Sequence, residues 1–198
     1  MSKIDSINSN TATCESSPQI ANKGFSKNKQ KENLEIACVN QRFKALAVNN
    51  FISEILQDII DENSKRKSFV IKNSFYMKNP PNMSFLNFSK RINKYLKPEV
   101  STLIISLMYI DSLLKSHMDN LLFLTENNVY KIYLTSVVLA IKYNEDYFDD
   151  NDFFGKVGGI STEEMNTLER DFLILMDYKM YIPEDLFRIY EENFEEEN

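Results

Sequence analysis

The sequence predicts an all-α fold, on three observations. Between Val129 and Tyr143 apolar residues point in nearly every direction around a 3.6-residue helix, and such a helix is stable only when other helices surround it. Ser161 and Glu164 have the S-x-x-E spacing of a capping box. They open a segment in which Met165, Leu168, Phe172, Leu175 and Met176 recur at i, i+3, i+7, i+10 and i+11, one face of a second helix. Between the two, Gly158 and Gly159 break the chain in a tight turn.

The remaining elements follow from the same signals in chain order. Residues 1–41 are rich in Ser, Asn, Thr and Lys without a sustained period, and are expected to be disordered. From Phe43 to Ile60, the stripe Leu46, Ile52, Ile55, Leu56, Ile59 and Ile60 stands against Asn49, Asn50, Glu54, Gln57 and Asp58, predicting an amphipathic helix. Residues 61–83 read as a solvated linker with a basic triplet, Lys65, Arg66 and Lys67, closed by Pro80 and Pro81. Ser84 is placed to cap a helix to about Leu96, with Phe85, Phe88, Ile92 and Tyr95 or Leu96 on one side. Pro98 stops it, and residues 99–117 form another apolar helix. Asn151 or Asp150 caps a short segment from Asp152 to Val157, and residues 184–196 form an acidic helix.

At 198 residues and 43% hydrophobic composition, the chain is sized for one core with tails. It has no apolar run of membrane-spanning length and no basic-then-apolar leader, so a soluble intracellular protein is expected. Cys14 and Cys38, both in the polar leading segment, are expected to be free thiols. The net charge of −6 conceals an asymmetry. Residues 1–97 hold 16 Lys and Arg against 8 Asp and Glu, a net +8, whereas residues 98–198 hold 7 against 21, a net −14. An acidic face of that kind suits a basic protein partner better than nucleic acid.

No catalytic chemistry emerges. The GKVGG at 155–159 lacks the G-x-x-x-x-G-K-[ST] of a phosphate loop and sits between helices. His117 is the single histidine, which excludes His triads and multi-His metal sites within the chain. Asp146, Asp149, Asp150 and Asp152 cluster in a polar connection without calcium-loop spacing. Neither a catalytic residue, a metal site nor a cofactor is expected.

The run from Lys142 through KVGGISTEEMNTLERDFL to Leu173 resembles the cyclin box of the P-type (U-type, phosphate-regulatory) cyclins. In that family the string A-K-V-G-G-[IV]-S-x-x-E-[ML]-N-x-L-E-x-D-F-L is the most distinctive segment, and only its opening alanine differs here, as Gly155. The resemblance is close over 84–182 and looser over 43–83. It implies a five-helix cyclin box at 84–182, an extra N-terminal helix and linker at 42–83, and an acidic C-terminal helix or tail at 183–198. The implied function is that of a non-catalytic subunit that binds and activates a cyclin-dependent kinase as a heterodimer, without nucleic acid or membrane, in the nucleus or cytoplasm.

On the family pattern, Lys142 and Glu169 hold the kinase around its αC helix and activation-loop region, and Asp146 offers a carboxylate to kinase arginines that elsewhere bind a phosphorylated loop. Tyr143, Glu145 and Phe172 complete the implied contact region. Asp111, in MYIDSLL, is similar to the family's YID aspartate. Its arginine partner is replaced by the stretch Asn82, Met83, Ser84, so the family's pairing is not carried over, and Arg91 is the candidate substitute. The M-R-A-I-L docking motif is missing from 84–96, so R-x-L substrate docking is not implied. Without the family, Lys142 is a cation near a helix C-terminus and Glu169 a solvated helix residue. The alternative function is a cyclin-fold scaffold in transcription with no kinase partner.

Overall fold

The computed structural model describes residues 21–65, 73–116 and 123–196. Among them are seven α-helices and no strand: α1 (Ala21–Ser64), α2 (Phe85–Leu96), α3 (Val100–Ser116), α4 (Val129–Asn144), α5 (Asn151–Gly158), α6 (Thr162–Leu175) and α7 (Glu184–Glu196). The described residues from Asn40 onward form one compact unit, and those before Asn40 belong to another.

Within residues 40–198, α4 is the central helix that its all-round apolar pattern predicts. Every residue from Ile132 to Ile141 is buried, and α2, α3, α5 and α6 pack around it. Its neighbours are bounded by local chemistry. Ser84 caps α2 by accepting from the Asn87 N–H, and Asp150 caps α5 by accepting from the Phe153 N–H. Asp150, not Asn151, is thus the cap. At its other end α5 closes on Gly159 at φ 77°, whose N–H donates to the Gly155 carbonyl. Ser161 then caps α6 through the Glu164 N–H, but the Glu164 carboxylate does not reach back as a reciprocal box would. It pairs at 2.7 Å with Lys131 of α4, a side chain only 11% exposed, which also donates to the Ser74 carbonyl at 3.1 Å.

Four expectations are overturned. First, α1 begins at Ala21, so residues 21–41 are helical where disorder was expected; this stretch has no proline and is dominated by Lys, Gln, Glu, Asn and Ala, mostly adequate helix formers that extend a helix nucleated downstream. Residues 1–20 lie outside the described residues, as do Cys14, Arg66, Lys67 and His117; Cys38 is a free, exposed thiol. Second, the inward face of α1 is Ala45, Val48, Ile52, Leu56 and Ile60, joined by Asn49 and Ser53, while Leu46 is turned out. Third, residues 73–83 are not a solvated linker. Phe75 is fully buried edge-on against Phe172, with ring centroids 6.0 Å apart, and the Met77 N–H donates to the Asn127 carbonyl. Fourth, Arg91 does not serve Asp111. It donates to the Lys156 carbonyl at 3.2 Å, while Asp111 accepts from Lys115 and from the Tyr190 hydroxyl of α7, each at 2.6 Å.

Asn49 is buried because α2 and α4 answer it. The Tyr133 hydroxyl donates to its Oδ1 at 2.8 Å, and its Nδ2 donates to Ser89 Oγ at 3.1 Å, which lies 2.6 Å from Ser53 Oγ. None of these groups reaches solvent to any extent, so each depends on the others. Asn49→Ala should therefore lower the free energy of unfolding by about 1–3 kcal/mol, the cost of leaving the Tyr133 hydroxyl unpaired. Adding Tyr133→Phe should recover part of that loss in urea titrations; a double variant weaker by the sum of the single losses would refute the coupling.

Tyr109, on α3, donates to the Met180 carbonyl at 2.8 Å, and burial pushes its hydroxyl up to about 12. Burial raises Tyr133 in the same direction. A tyrosine in the unfolded chain ionises near 10, so the stability tied to the buried, protonated form is complete below about pH 10 and declines as pH rises towards 12. Unfolding midpoints should fall steeply above about pH 10, and less steeply in Tyr109→Phe; equal slopes would remove Tyr109 as the cause.

Candidate functional site

The C-terminal end of α4, the first turn of α5 and the middle of α6 meet at one patch. Lys142 lies in the last turn of α4, where a cation is favoured by the carbonyl ends of the helix. Its Nζ donates to both carboxylate oxygens of Glu169, at 2.7 and 2.9 Å, and to Asn151 Oδ1 at 2.7 Å. The three hydrogens of the ammonium are thereby used. Asn151, the first residue of α5, donates in turn to Glu169 Oε2 at 2.8 Å and to Asn166 Oδ1 at 2.6 Å. The Lys142 ammonium also lies 5.8 Å from the centroid of the buried Phe154 ring.

This arrangement is a preorganised charged cluster. Lys142 and Glu169 retain 24% and 18% of their side-chain exposure, enough to reach a partner and little enough to be held in place. Three hydrogen bonds fill three of the roughly four acceptor positions of the Glu169 carboxylate, leaving capacity for an incoming N–H. Beside it, residues 146–150 are exposed side chains on the irregular segment between α4 and α5. Asp146 is exposed there, and the ion pairs among the described residues do not involve it. Tyr147 and Phe148 are 92% and 55% exposed, and Tyr143, at 55%, lines a groove of 360 Å³ with Tyr181, Ile182 and Phe187. Adjacent exposed rings of this kind are characteristic of a surface that another protein covers.

Two residues assigned to the contact region belong elsewhere. Phe172 is fully buried against Phe75, because its i+7 spacing from Met165 turns it into the core. Glu145 is half-buried and accepts from the Glu99 N–H at 3.0 Å, joining the end of α4 to the start of α3. Conversely, the sequence reading passed over Asn151, Asn166, Tyr147 and Phe148 as site residues. Asn166 and Glu169 are three apart on one helix, a spacing that puts them on one face, and the Tyr-Phe pair amid aspartates is an apolar anomaly in a polar loop. Both signals were available.

The whole-chain comparisons agree with this architecture. The cyclin family model matches residues 1–180, extending well before the region in which the motif resemblance is apparent. The chain is 33% identical over 135 residues to Cyclin-P3-1 of Oryza sativa subsp. japonica, covering 68% of this chain and 54% of that protein. It is 34% identical over 110 residues to Cyclin-U2-1 of Arabidopsis thaliana, covering 56% and 49%, and 30% identical over 149 residues to PHO85 cyclin-7 of Saccharomyces cerevisiae, covering 70% and 52%. It thus spans about half the length of these relatives. With an all-α fold built around α4 and a family match over nearly all its length, the chain belongs to the cyclin family, in its P/U-type branch.

Proposed function

We propose that this chain is a non-catalytic regulatory subunit that binds and activates a cyclin-dependent protein kinase as a heterodimer. The observation that carries the reading is the Lys142, Glu169 and Asn151 cluster standing next to the exposed rings of Tyr143, Tyr147 and Phe148. A charged cluster held by its own hydrogen bonds loses little freedom on docking, and the aromatic residues supply area to exclude water around it. Activation follows if the patch binds the αC-in form of the kinase more tightly than the αC-out form, because a ligand shifts an equilibrium only by its differential affinity. The relative named PHO85 cyclin-7 supports a partner of this kind.

Asp146 supplies the finer part of the reading. Exposed and without a cation partner among the described residues, its carboxylate is available to an arginine fork of the kinase, standing in for activation-loop phosphate. Affinity purification of the tagged chain, identified by mass spectrometry and followed by phosphorylation assays, is the direct test. Co-purification of a kinase active without loop phosphorylation is expected, and Asp146→Asn should make that activity depend on the loop phosphate. A partner set that contains no kinase would instead support the cyclin-fold scaffold with no kinase partner.

A further inference from the structure

Along α1, a row of apolar side chains and a row of acidic ones run side by side. Phe51, Ile55 and Ile59 recur every four residues and are half-buried, while Glu54, Asp58 and Glu62, each three positions further on, are exposed on the adjacent row. The apolar row is one wall of a cavity of 410 Å³, completed by Ile110 and Leu114 of α3 and Phe194 of α7. Asp111, Tyr190 and Asn193 also line it; the Tyr190 hydroxyl and Lys115 both donate to the same Asp111 carboxylate oxygen. A mostly apolar cavity of this size with a few polar groups suits an inserted side chain, and the carboxylates beside it favour a cationic approach.

The same helix carries a surface of opposite charge. Phe43 and Leu46 are 68% and 40% exposed and three residues apart. Phe43 stands between Arg42 and Lys44, both exposed, and the ion pairs among the described residues involve neither. From Asn40 to Val48, α1 holds these two cations and no acid, a net +2; from Asn49 to Ser64 it holds Glu54, Asp58, Asp61 and Glu62 and no cation, a net −4. An exposed ring flanked by cations complements an apolar cavity flanked by carboxylates. Within one molecule the two stay apart, because Phe43 and Phe51 are eight residues from each other on one continuous helix, about 12 Å along its axis.

We propose that two copies of the chain associate here, the Phe43 ring of each entering the cavity between α1, α3 and α7 of the other. If the two α1 helices cross antiparallel near Phe51, position 43 of one lies opposite Ile59 of the cavity wall, and Lys44 lies opposite Asp58. Each copy then gives one ring and takes one, so the contact closes about a two-fold axis instead of extending into a filament. The ring, the cations, the cavity and the acidic row are all on this chain, in the order that antiparallel pairing requires. The cavity shares no residue with the Lys142 and Glu169 cluster, so the pairing leaves that patch open.

Sedimentation velocity on the full chain, without kinase and across a concentration series, is the test. A dimer that dissociates on dilution and in added salt is expected. Phe43→Ser should weaken it at least about tenfold with an unchanged melting temperature, since that ring is mostly in water. Lys44→Glu should weaken it severalfold, and adding Asp58→Lys should restore it by returning opposite charges to facing positions. A chain that stays monomeric at every concentration would overturn the proposal, as would a dimer indifferent to Phe43→Ser or a charge swap that restores nothing. A monomeric free chain whose kinase affinity falls on Phe43→Ser would assign the ring to the kinase instead. Because the measurement needs no kinase, failure here leaves the regulatory-subunit reading untouched, and the reverse also holds.

Discussion

Replacing Lys142 with glutamate is expected to reduce kinase affinity at least about 100-fold, the effect of truncating a desolvated charge pair at an interface. The substitution sets two carboxylates against each other where Nζ now donates to Glu169 and Asn151. Some folding stability is lost as well, because a partly buried acid is left without its cation. Lys142→Met separates loss of the cation from charge reversal: it keeps an unbranched stem near Phe154 and removes the ammonium with its three hydrogen bonds, without setting a second carboxylate against Glu169. Retention of full kinase affinity in Lys142→Met, measured by surface plasmon resonance on protein with a normal melting curve, would show that the cluster is structural. Tyr147→Ala gives an independent reading, since a side chain 92% exposed contributes little to the fold.

Gly158→Val should destabilise the core strongly, by about 3 kcal/mol, the upper end of overpacking losses. A Cβ built at Gly158 would lie 2.2 Å from Cδ2 of Leu134, a core side chain that is itself 1% exposed. Because α5 carries Asn151 at its first position, displacing the helix should also weaken kinase binding. Leu134→Ala in the same chain restores room for the extra methyl groups and should recover part of the loss. An unchanged denaturation midpoint for Gly158→Val would mean that α5 shifts away from α4 at little cost.

Much of the helical framework was legible because its signals are local. Ser84 and Ser161 announce helix starts by type and spacing, and the all-round apolar run of α4 admits only a central position. What escaped depends on partners distant in sequence. Asn49 reads as a polar-face residue, and only Tyr133, 84 positions later, makes its burial tolerable. Phe75 sits in an extended stretch with no periodicity, and its partner Phe172 is likewise remote. The site was half legible. Lys142 and Glu169 are unremarkable surface charges by spacing alone and were found through the family string, whereas Asn151, already considered as a cap, was not connected to them. Phe172 was assigned outward although its own spacing from Met165 points inward; there the helical period outweighs the family region.

Asn49 and Ser53 stand one helical turn apart on α1, about 5.4 Å along its axis, and both engage Ser89. If α1 slid by a turn in either direction, Ala45 or Ser53 would face the Tyr133 hydroxyl in place of the amide. The first offers no acceptor and the second a shorter arm. A greasy stripe alone would tolerate such slippage, as a smooth rod does in a groove. This buried amide works like the notch of a key, leaving α1 a single seating on the helices beneath it.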